Sequence, residues 1–355
     1  MSSSTASFRV AFTGDFLDPA GQPRYRDYGL PTFANQPHVS HRLFSDHSPE
    51  VTTRQIGDAH GVVVLTPRVT RASVSQSPEL LAIARFGVGY DTVDVEACTD
   101  HDVLVLIAVG AVDRSVAEAT LTWMLSLSHH VRAKDRLVRT GDWNGRSQFM
   151  GTELRRRTLG LVGFGRIARA LVPLVAPFGM REIVAYDPHV DRQLAEQLGV
   201  RLVSLNELLA ASDFVSIHCP LAESTRNLIG GEQLARMKPG AYLINTSRGG
   251  IVDEGALCQS LRERRIAGAA LDVFETEPLI LPHPLTELDN VLLAPHSIAW
   301  TEELFSEIGR TVCEALVDLS HGKEPTGVVN PEVLDRPGFR QKWSRWRANA
   351  GERRA

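Results

Sequence analysis

Three short polar segments carry side chains that could hold an anion and move a proton. They are Asn245-Thr246-Ser247-Arg248-Gly249-Gly250, Leu271-Asp272-Val273-Phe274-Glu275-Thr276-Glu277-Pro278 and Ala294-Pro295-His296-Ser297. Each follows an apolar run that reads as a buried strand: Ala241 to Asn245, Ala269 to Leu271 and Val291 to Ala294. The guanidinium of Arg248 is a planar fork that matches a carboxylate, which a lysine does not offer. The imidazole of His296 changes charge near neutral pH and suits a general acid or base. Glu277 could fix that ring and favour its charged form; Asp272 is a second acid of the same set. Taken singly, a histidine after proline in a loop is ordinarily a surface residue, and a lone glutamate is ordinarily solvated. At the carboxyl ends of parallel strands, all of them lie on the rim where open α/β sheets bind ligands.

A fourth segment says which ligand shares that rim. Gly163-Phe164-Gly165-Arg166-Ile167-Ala168 directly follows the run Thr158 to Val162 and opens a helix. The first glycine permits the tight turn, and the second lets backbone approach a pyrophosphate. The third position needs a small residue where helix meets strand, and Ala168 supplies it. N–H groups at the helix start then face the phosphates. Nineteen residues after Ala168, at the end of the next strand, stands Asp187. An acid there accepts hydrogen bonds from the adenosine ribose hydroxyls and repels a 2′-phosphate. Pro188 and His189 follow it, not arginine, so NAD is favoured over NADP. Pro173 and Pro177 predict a kink and then an end to that helix near Gly179.

These groups need a scaffold of alternating strands and helices. From Phe8 to Ile107, runs at Phe8–Phe12, Gly61–Leu65, Ala82–Phe86 and Val103–Ile107 read as strands of a mostly parallel sheet. Asp15 to Pro49, rich in Pro, His, Gly and Tyr, reads as surface loops. Ser115 to Arg139 reads as one long helix stopped by Gly141. A second series of six strands runs from Thr158 to Ala294, with Ser204-Leu205-Asn206-Glu207 as a capping box between two of them. Glu302 to His321 reads as a further helix. The end, Asp335 to Ala355, carries Arg336, Arg340, Lys342, Arg345, Arg347, Arg353 and Arg354 with two tryptophans. It reads as a helix packed on its own domain or on a partner subunit, ahead of a nucleic-acid or membrane contact.

Composition narrows the classes. The chain of 355 residues is 43% hydrophobic and 23% charged with a net charge of −4, which fits about two globular domains and no nucleic-acid or membrane partner. Cys98, Cys219, Cys258 and Cys313 lie far apart, which excludes a disulfide framework or zinc ribbon and fits a reducing cytoplasm. No metal set is visible. The run Val103 to Val112 is far short of the ~20 residues of a membrane helix, and Met1 to Phe8 lacks a signal peptide's basic start.

From about Leu81 to Asn330 the sequence resembles the D-isomer-specific 2-hydroxyacid dehydrogenases. The resemblance rests on the fingerprint, His218-Cys219-Pro220-Leu221, Asn245 to Val252, Asp272-Val273-Phe274 with Glu277-Pro278, and Pro295-His296, in that order. It implies two doubly wound α/β domains, Rossmann-like and flavodoxin-like, separated by a cleft. The nucleotide-binding domain, 113–299, is inserted in a substrate domain formed by 1–112 and 300–335, with a basic tail at 336–355 and hinges near Val112 and Ala299. It implies that Arg248 binds the substrate carboxylate and carbonyl, that His296 is the acid/base, and that Glu277 is its partner. Gly87-Val88-Gly89 resembles the loop whose N–H groups hold the substrate carboxylate, with Arg248 and His296 completing that site. NAD contacts are implied at Gly163, Phe164, Gly165, Arg166, Ile167, Asp187, His218, Cys219, Pro220, Thr225, Thr246, Ser247, Arg248, Asp272 and His296. The reaction implied is hydride transfer between NAD(H) and a small 2-oxo or D-2-hydroxy acid, in a cytoplasmic homodimer built on the long helix and Trp143. A rival within that chemistry is reduction of glyoxylate or hydroxypyruvate specifically. Formate dehydrogenase is less similar, having Gln where Glu277 stands. A rival of another class is an NAD-sensing corepressor of the same fold. Two departures bear on the substrate: Val109-Gly110-Ala111-Val112 lacks the family's Pro and Asn, and His296 is followed by Ser297-Ile298-Ala299-Trp300, which puts bulk near the nicotinamide side.

Overall fold

The computed structural model describes residues 7–351, with side chains described as far as 347. The first six residues and the expected basic positions Arg353 and Arg354 lie outside the described residues. The chain divides into two compact units, Met1–Val112 with Thr301–Ala355, and Asp113–Trp300.

In the first unit, runs of Val, Ile, Leu and Ala with both faces covered form parallel strands. They are β1 (Phe8–Phe12), β2 (Val39–Leu43), β3 (Gly61–Val64), β4 (Ala82–Arg85) and β5 (Leu104–Ile107). Their order is β2-β1-β3-β4-β5, the flavodoxin-like winding. Val62, Val64, Ile83 and Val105 build the core on one face. β2 falls inside the segment expected to be surface loops. It is an edge strand whose Ser40, His41 and Arg42 are exposed, so no apolar run marks it. The helix Glu302–Ser320 is amphipathic, burying Leu304, Ile308, Val312, Leu316 and Leu319.

The C-terminal segment forms the helix Pro337–Gly351 and packs on its own unit. Trp343 and Trp346 donate their indole N–H groups to the carbonyls of Leu319 (2.8 Å) and Ser320 (2.9 Å). The Lys342 ammonium donates to the carbonyls of Leu80, His101 and Asp102, and Arg336 pairs with Asp102 at 2.6 Å.

In the second unit the strands are β6 (Thr158–Val162), β7 (Glu182–Tyr186), β8 (Val200–Leu202), β9 (Phe214–Ile217), β10 (Tyr242–Asn245), β11 (Gly268–Leu271) and β12 (Val291–Leu293). Their order, β12-β11-β10-β9-β6-β7-β8, is all parallel and reverses its winding beside β6, as in dinucleotide-binding sheets. The sheet has seven strands where six were expected. The extra one, β8, is three residues long with Arg201 exposed in its middle. Core clusters cover both faces of the sheet. The expected long helix is two, Asp113–Ser128 and Val131–Thr140, because His130 adopts a left-handed backbone (φ 52°) between them. The helix Arg166–Val175 tolerates Pro173 inside it and passes through a short turn to Gly179 (φ 64°), the expected end. Of the expected capping box, the Glu207 N–H to Ser204 hydroxyl bond is present (3.2 Å).

Candidate active site

The nucleotide edge begins where β6 ends. Gly163 has φ 91°, and an added Cβ would stand 2.6 Å from the Cys219 nitrogen, so only glycine allows the turn to touch the His218–Cys219 backbone. At Gly165 a Cβ would meet nothing within 4 Å, so the backbone there is open to a ligand. Ala168 is fully buried where helix meets sheet. N–H groups of the first turn, from Arg166 and Ile167 onward, have no partner within their own helix. Asp187 accepts from the N–H groups of Phe164 and His189, both at 2.8 Å, which fixes its carboxylate at the end of β7. Arg166 is held by Asp113 at 2.8 Å. An open glycine turn, a helix start and a fixed acid fit a pyrophosphate and a ribose diol. The loop after β9 completes this edge. The hydroxyl of Thr225 accepts from the Ala222 N–H (2.8 Å) and donates to the Pro220 carbonyl (2.7 Å). His218 bonds Ser216 at 2.9 Å, and burial pushes its imidazole down to about 4. Burial pushes the Cys219 thiol up to about 11, so no thiolate forms at neutral pH.

A second edge, carrying the expected acid/base residues, follows from the neighbouring strands β10, β11 and β12, whose carboxyl ends place three loops side by side. After β10, Asn245 accepts from the Ser247 N–H (3.0 Å) and donates to the Arg248 carbonyl (2.8 Å), closing the turn that presents Arg248. The Ser247 hydroxyl donates to the Cys219 carbonyl, and Thr246 meets Thr120 at 3.3 Å. The Arg248 guanidinium bonds the Ser247 carbonyl at 2.7 Å.

His296 lies after β12 with a left-handed backbone, φ 54°. That conformation costs a residue with a Cβ roughly 1–2 kcal/mol. Asp272, at the end of β11, offsets it: its carbonyl accepts the His296 N–H (2.8 Å), and its carboxylate accepts those of Ser297 (2.8 Å) and Ile298 (3.0 Å). Each such bond contributes about 0.5–1.5 kcal/mol. Burial raises the Asp272 carboxyl to about 6, against the two N–H groups that favour its charge. The Nδ1 atom of His296 lies 2.7 Å from Glu277 Oε2. Glu277 Oε1 accepts the Phe274 N–H at 2.9 Å. Burial raises the Glu277 carboxyl, but the His296 bond and charge, the Phe274 N–H and the nearby Arg248 outweigh it and hold it below its ordinary value. Ile298 packs against the core cluster that contains Ala117 and Trp123, which accounts for its bulk. Arg248, Asp272, Glu277 and His296 therefore sit on one edge of one sheet.

Gly87, Val88 and Gly89 follow β4 in the first unit. Gly87 has φ 144°, and its carbonyl accepts the Ala108 N–H at 2.9 Å. Among the described residues, the N–H groups of Val88 and Gly89 donate to no protein acceptor. Two features of the edge were not expected from sequence. Gly249 lies against the Phe274–Glu275 backbone, and Glu254 bonds Glu275. No helix is long and apolar enough to cross a membrane, and no group of three or more metal-ligating side chains occurs, both among the described residues.

Known proteins resemble this chain in sequence and in fold. The family described as D-isomer specific 2-hydroxyacid dehydrogenase, NAD binding domain, matches residues 121–297. A glyoxylate reductase of Aeropyrum pernix is 42% identical over 284 residues, covering 78% of this chain and 84% of that protein. A D-3-phosphoglycerate dehydrogenase of Methanocaldococcus jannaschii is 41% identical over 283 residues, covering 79% of this chain; the chain spans about half of that relative's length, 53%. A solved D-lactate dehydrogenase of Aquifex aeolicus, complexed with NAD and lactic acid, matches with a TM-score of 0.75 at 28% identity, over 88% of this chain and 96% of that one. With identities this high over this much of the chain, and a dinucleotide edge beside a His–Glu pair, the chain belongs to the D-isomer specific 2-hydroxyacid dehydrogenase family of NAD-dependent enzymes.

Proposed function

We propose that this protein interconverts a small 2-oxo acid and its D-2-hydroxy acid, with His296 as the acid/base, Glu277 as its partner and Arg248 as the binder of carboxylate and carbonyl. The observation that carries the reading is the 2.7 Å His296–Glu277 contact on the same sheet edge as Arg248. NAD(H) supplies or accepts the hydride when bound. Reduction places negative charge on the substrate oxygen, and the ring of His296 delivers the proton that neutralises it. Glu277, held low by its hydrogen bond to that ring and by the ring's charge, is ionised at neutral pH and fixes the ring through Nδ1. The Arg248 fork binds more tightly as charge grows on the oxygen, so it acts on rate as well as affinity. Among the described residues the N–H groups of Val88 and Gly89 have no protein acceptor, which supports a carboxylate-binding role for Gly87–Gly89. The glyoxylate reductase and the phosphoglycerate dehydrogenase match this chain almost equally, at 42% and 41% identity, so both kinds of substrate enter the test.

The test is NADH oxidation with glyoxylate, hydroxypyruvate, its phosphate ester and pyruvate. Turnover of glyoxylate or hydroxypyruvate is expected. Tight NADH binding without turnover of any of the four would sink the enzymatic reading in favour of a nucleotide sensor. His296→Ala should lower kcat by roughly 10²–10⁴-fold at every pH. Glu277→Gln, which leaves the ring of His296 in place but removes the carboxylate beside it, should lower kcat by less than His296→Ala does. Arg248→Ala should raise KM and lower kcat. All three should still bind NADH.

A further inference from the structure

The helix Glu254–Arg262 starts directly after the Arg248 segment and needs no help from Glu254 to do so. Asp253 is its cap, accepting the Ala256 N–H at 2.8 Å. Glu254 turns away instead. Its Oε1 accepts the Glu275 N–H, and its own N–H donates to Glu275 Oε1 at 3.1 Å. The side chain is only 13% exposed. Facing it are His283, whose Nε2 lies 3.4 Å from Oε2, the carboxylates of Glu275 and Glu277, and Cys258 on its own helix. A carboxylate is costly here, since burial and then two like charges push its pKa upward. What it holds is the backbone two residues before Glu277. Glu277 is tied back to Phe274 N–H and forward to His296.

We propose that Glu254 is a positioning residue for the proton donor: its clamp on the Glu275 backbone joins the helix that follows the Arg248 turn to the Glu277 loop and keeps Glu277 against His296. The proposal rests on the oxidoreductase reading of that edge. The clamp and a simple charge effect have opposite signs. Removing the clamp lets Glu277 leave His296 and Phe274 N–H, so its carboxyl titrates higher. Removing only a neighbouring negative charge makes Glu277 titrate lower.

The experiment follows the Glu277 side-chain carboxyl by 13C NMR titration of the full-length protein, its resonance identified by its loss in Glu277→Gln. Glu254→Ala and the shorter Glu254→Asp should both move the Glu277 titration to higher pH. Glu254→Gln, which keeps an acceptor for Glu275 N–H, should leave it unchanged or move it lower. In glyoxylate reduction the Ala and Asp variants should lose roughly tenfold or more in kcat, with NADH affinity unchanged. If Ala and Gln both lower the Glu277 titration while Asp leaves it in place, Glu254 acts only by charge and the proposal is wrong. Should Glu254→Ala not fold, the Asp and Gln pair still decides. The titration needs no substrate, so a wild type inert towards 2-oxo acids defeats the functional reading while the Glu277 signal judges this one.

Discussion

Gly249→Ala isolates how closely the two halves of the acid/base edge are fitted. The backbone at Gly249 is not left-handed, so alanine introduces no strain of its own there. Its methyl does introduce a clash. The added Cβ would stand 2.6 Å from the Glu275 nitrogen and closer still to the Phe274 carbonyl, whereas ordinary contact begins at 3.4 Å. These neighbours are backbone atoms and cannot rotate aside. The Arg248 turn and the Glu277 loop must separate by about 1 Å or more, and a misplacement of that size costs on the order of 100-fold in rate. Overpacking a fitted interior costs about 1–3 kcal/mol besides. The expected result is a folded protein with lowered melting temperature, NADH affinity near wild type, and kcat for glyoxylate reduction down by roughly two orders of magnitude. Steady-state kinetics beside NADH fluorescence titration and thermal melts would measure all three. A variant with wild-type kcat would refute the claim that the Arg248 and Glu277 segments must keep this contact for proton transfer.

Other consequences can be checked separately. Asp187 at the end of β7 should give a much higher kcat/KM with NADH than with NADPH, and Asp187→Ala should narrow that ratio; equal values in the wild type would remove the role given to Asp187. Asp272, raised from 3.8 to about 6 by burial, holds its proton longer folded than unfolded. Folding stability should therefore fall as pH rises from about 4 to 6, by on the order of 2–3 kcal/mol, and Asp272→Asn should lack that component in melts across this range. Trp143 and Met150 are 66% and 79% exposed, and Val131 and Val138 on the preceding helix are exposed as well. Light scattering at micromolar concentration should give a homodimer mass, and charged substitutions at Trp143 and Met150 should shift it to monomer.

The parts of the fold legible in sequence are those where burial leaves a mark. β6, β9 and β10 are fully buried, so their apolar runs stand out from the polar segments beside them. β2 and β8 are edge strands carrying exposed polar residues in their middles, and nothing in composition separates them from loop. The break at His130 is likewise silent. A histidine in a left-handed backbone leaves no gap in a helical pattern, whereas Gly141 at the end of the next helix does.

The same physics divides the site. Arg248, Glu277 and His296 were visible because rare chemistry-bearing types recur after strands, and the sheet order makes those loops neighbours. Asp272 was visible as an acid, but its work on the His296 backbone was not. That work depends on the left-handed φ of His296, which no residue type announces. Glu254 reads in sequence as an ordinary acid in the first turn of a helix, where a carboxylate favours the dipole. Only the Asp253 cap, already satisfied, shows that Glu254 is free to reach another loop. Gly249 reads as one of two glycines in a turn. Its Gly250 neighbour has φ 74° and takes the turn; Gly249 has no such angle and is small because another backbone occupies the space of its side chain. Residues that do chemistry are marked by type, while those that place them are marked by what lies across from them in three dimensions. Substitutions at Gly249 and Glu254 therefore test the placement of Arg248, Glu277 and His296 without changing any of those three side chains.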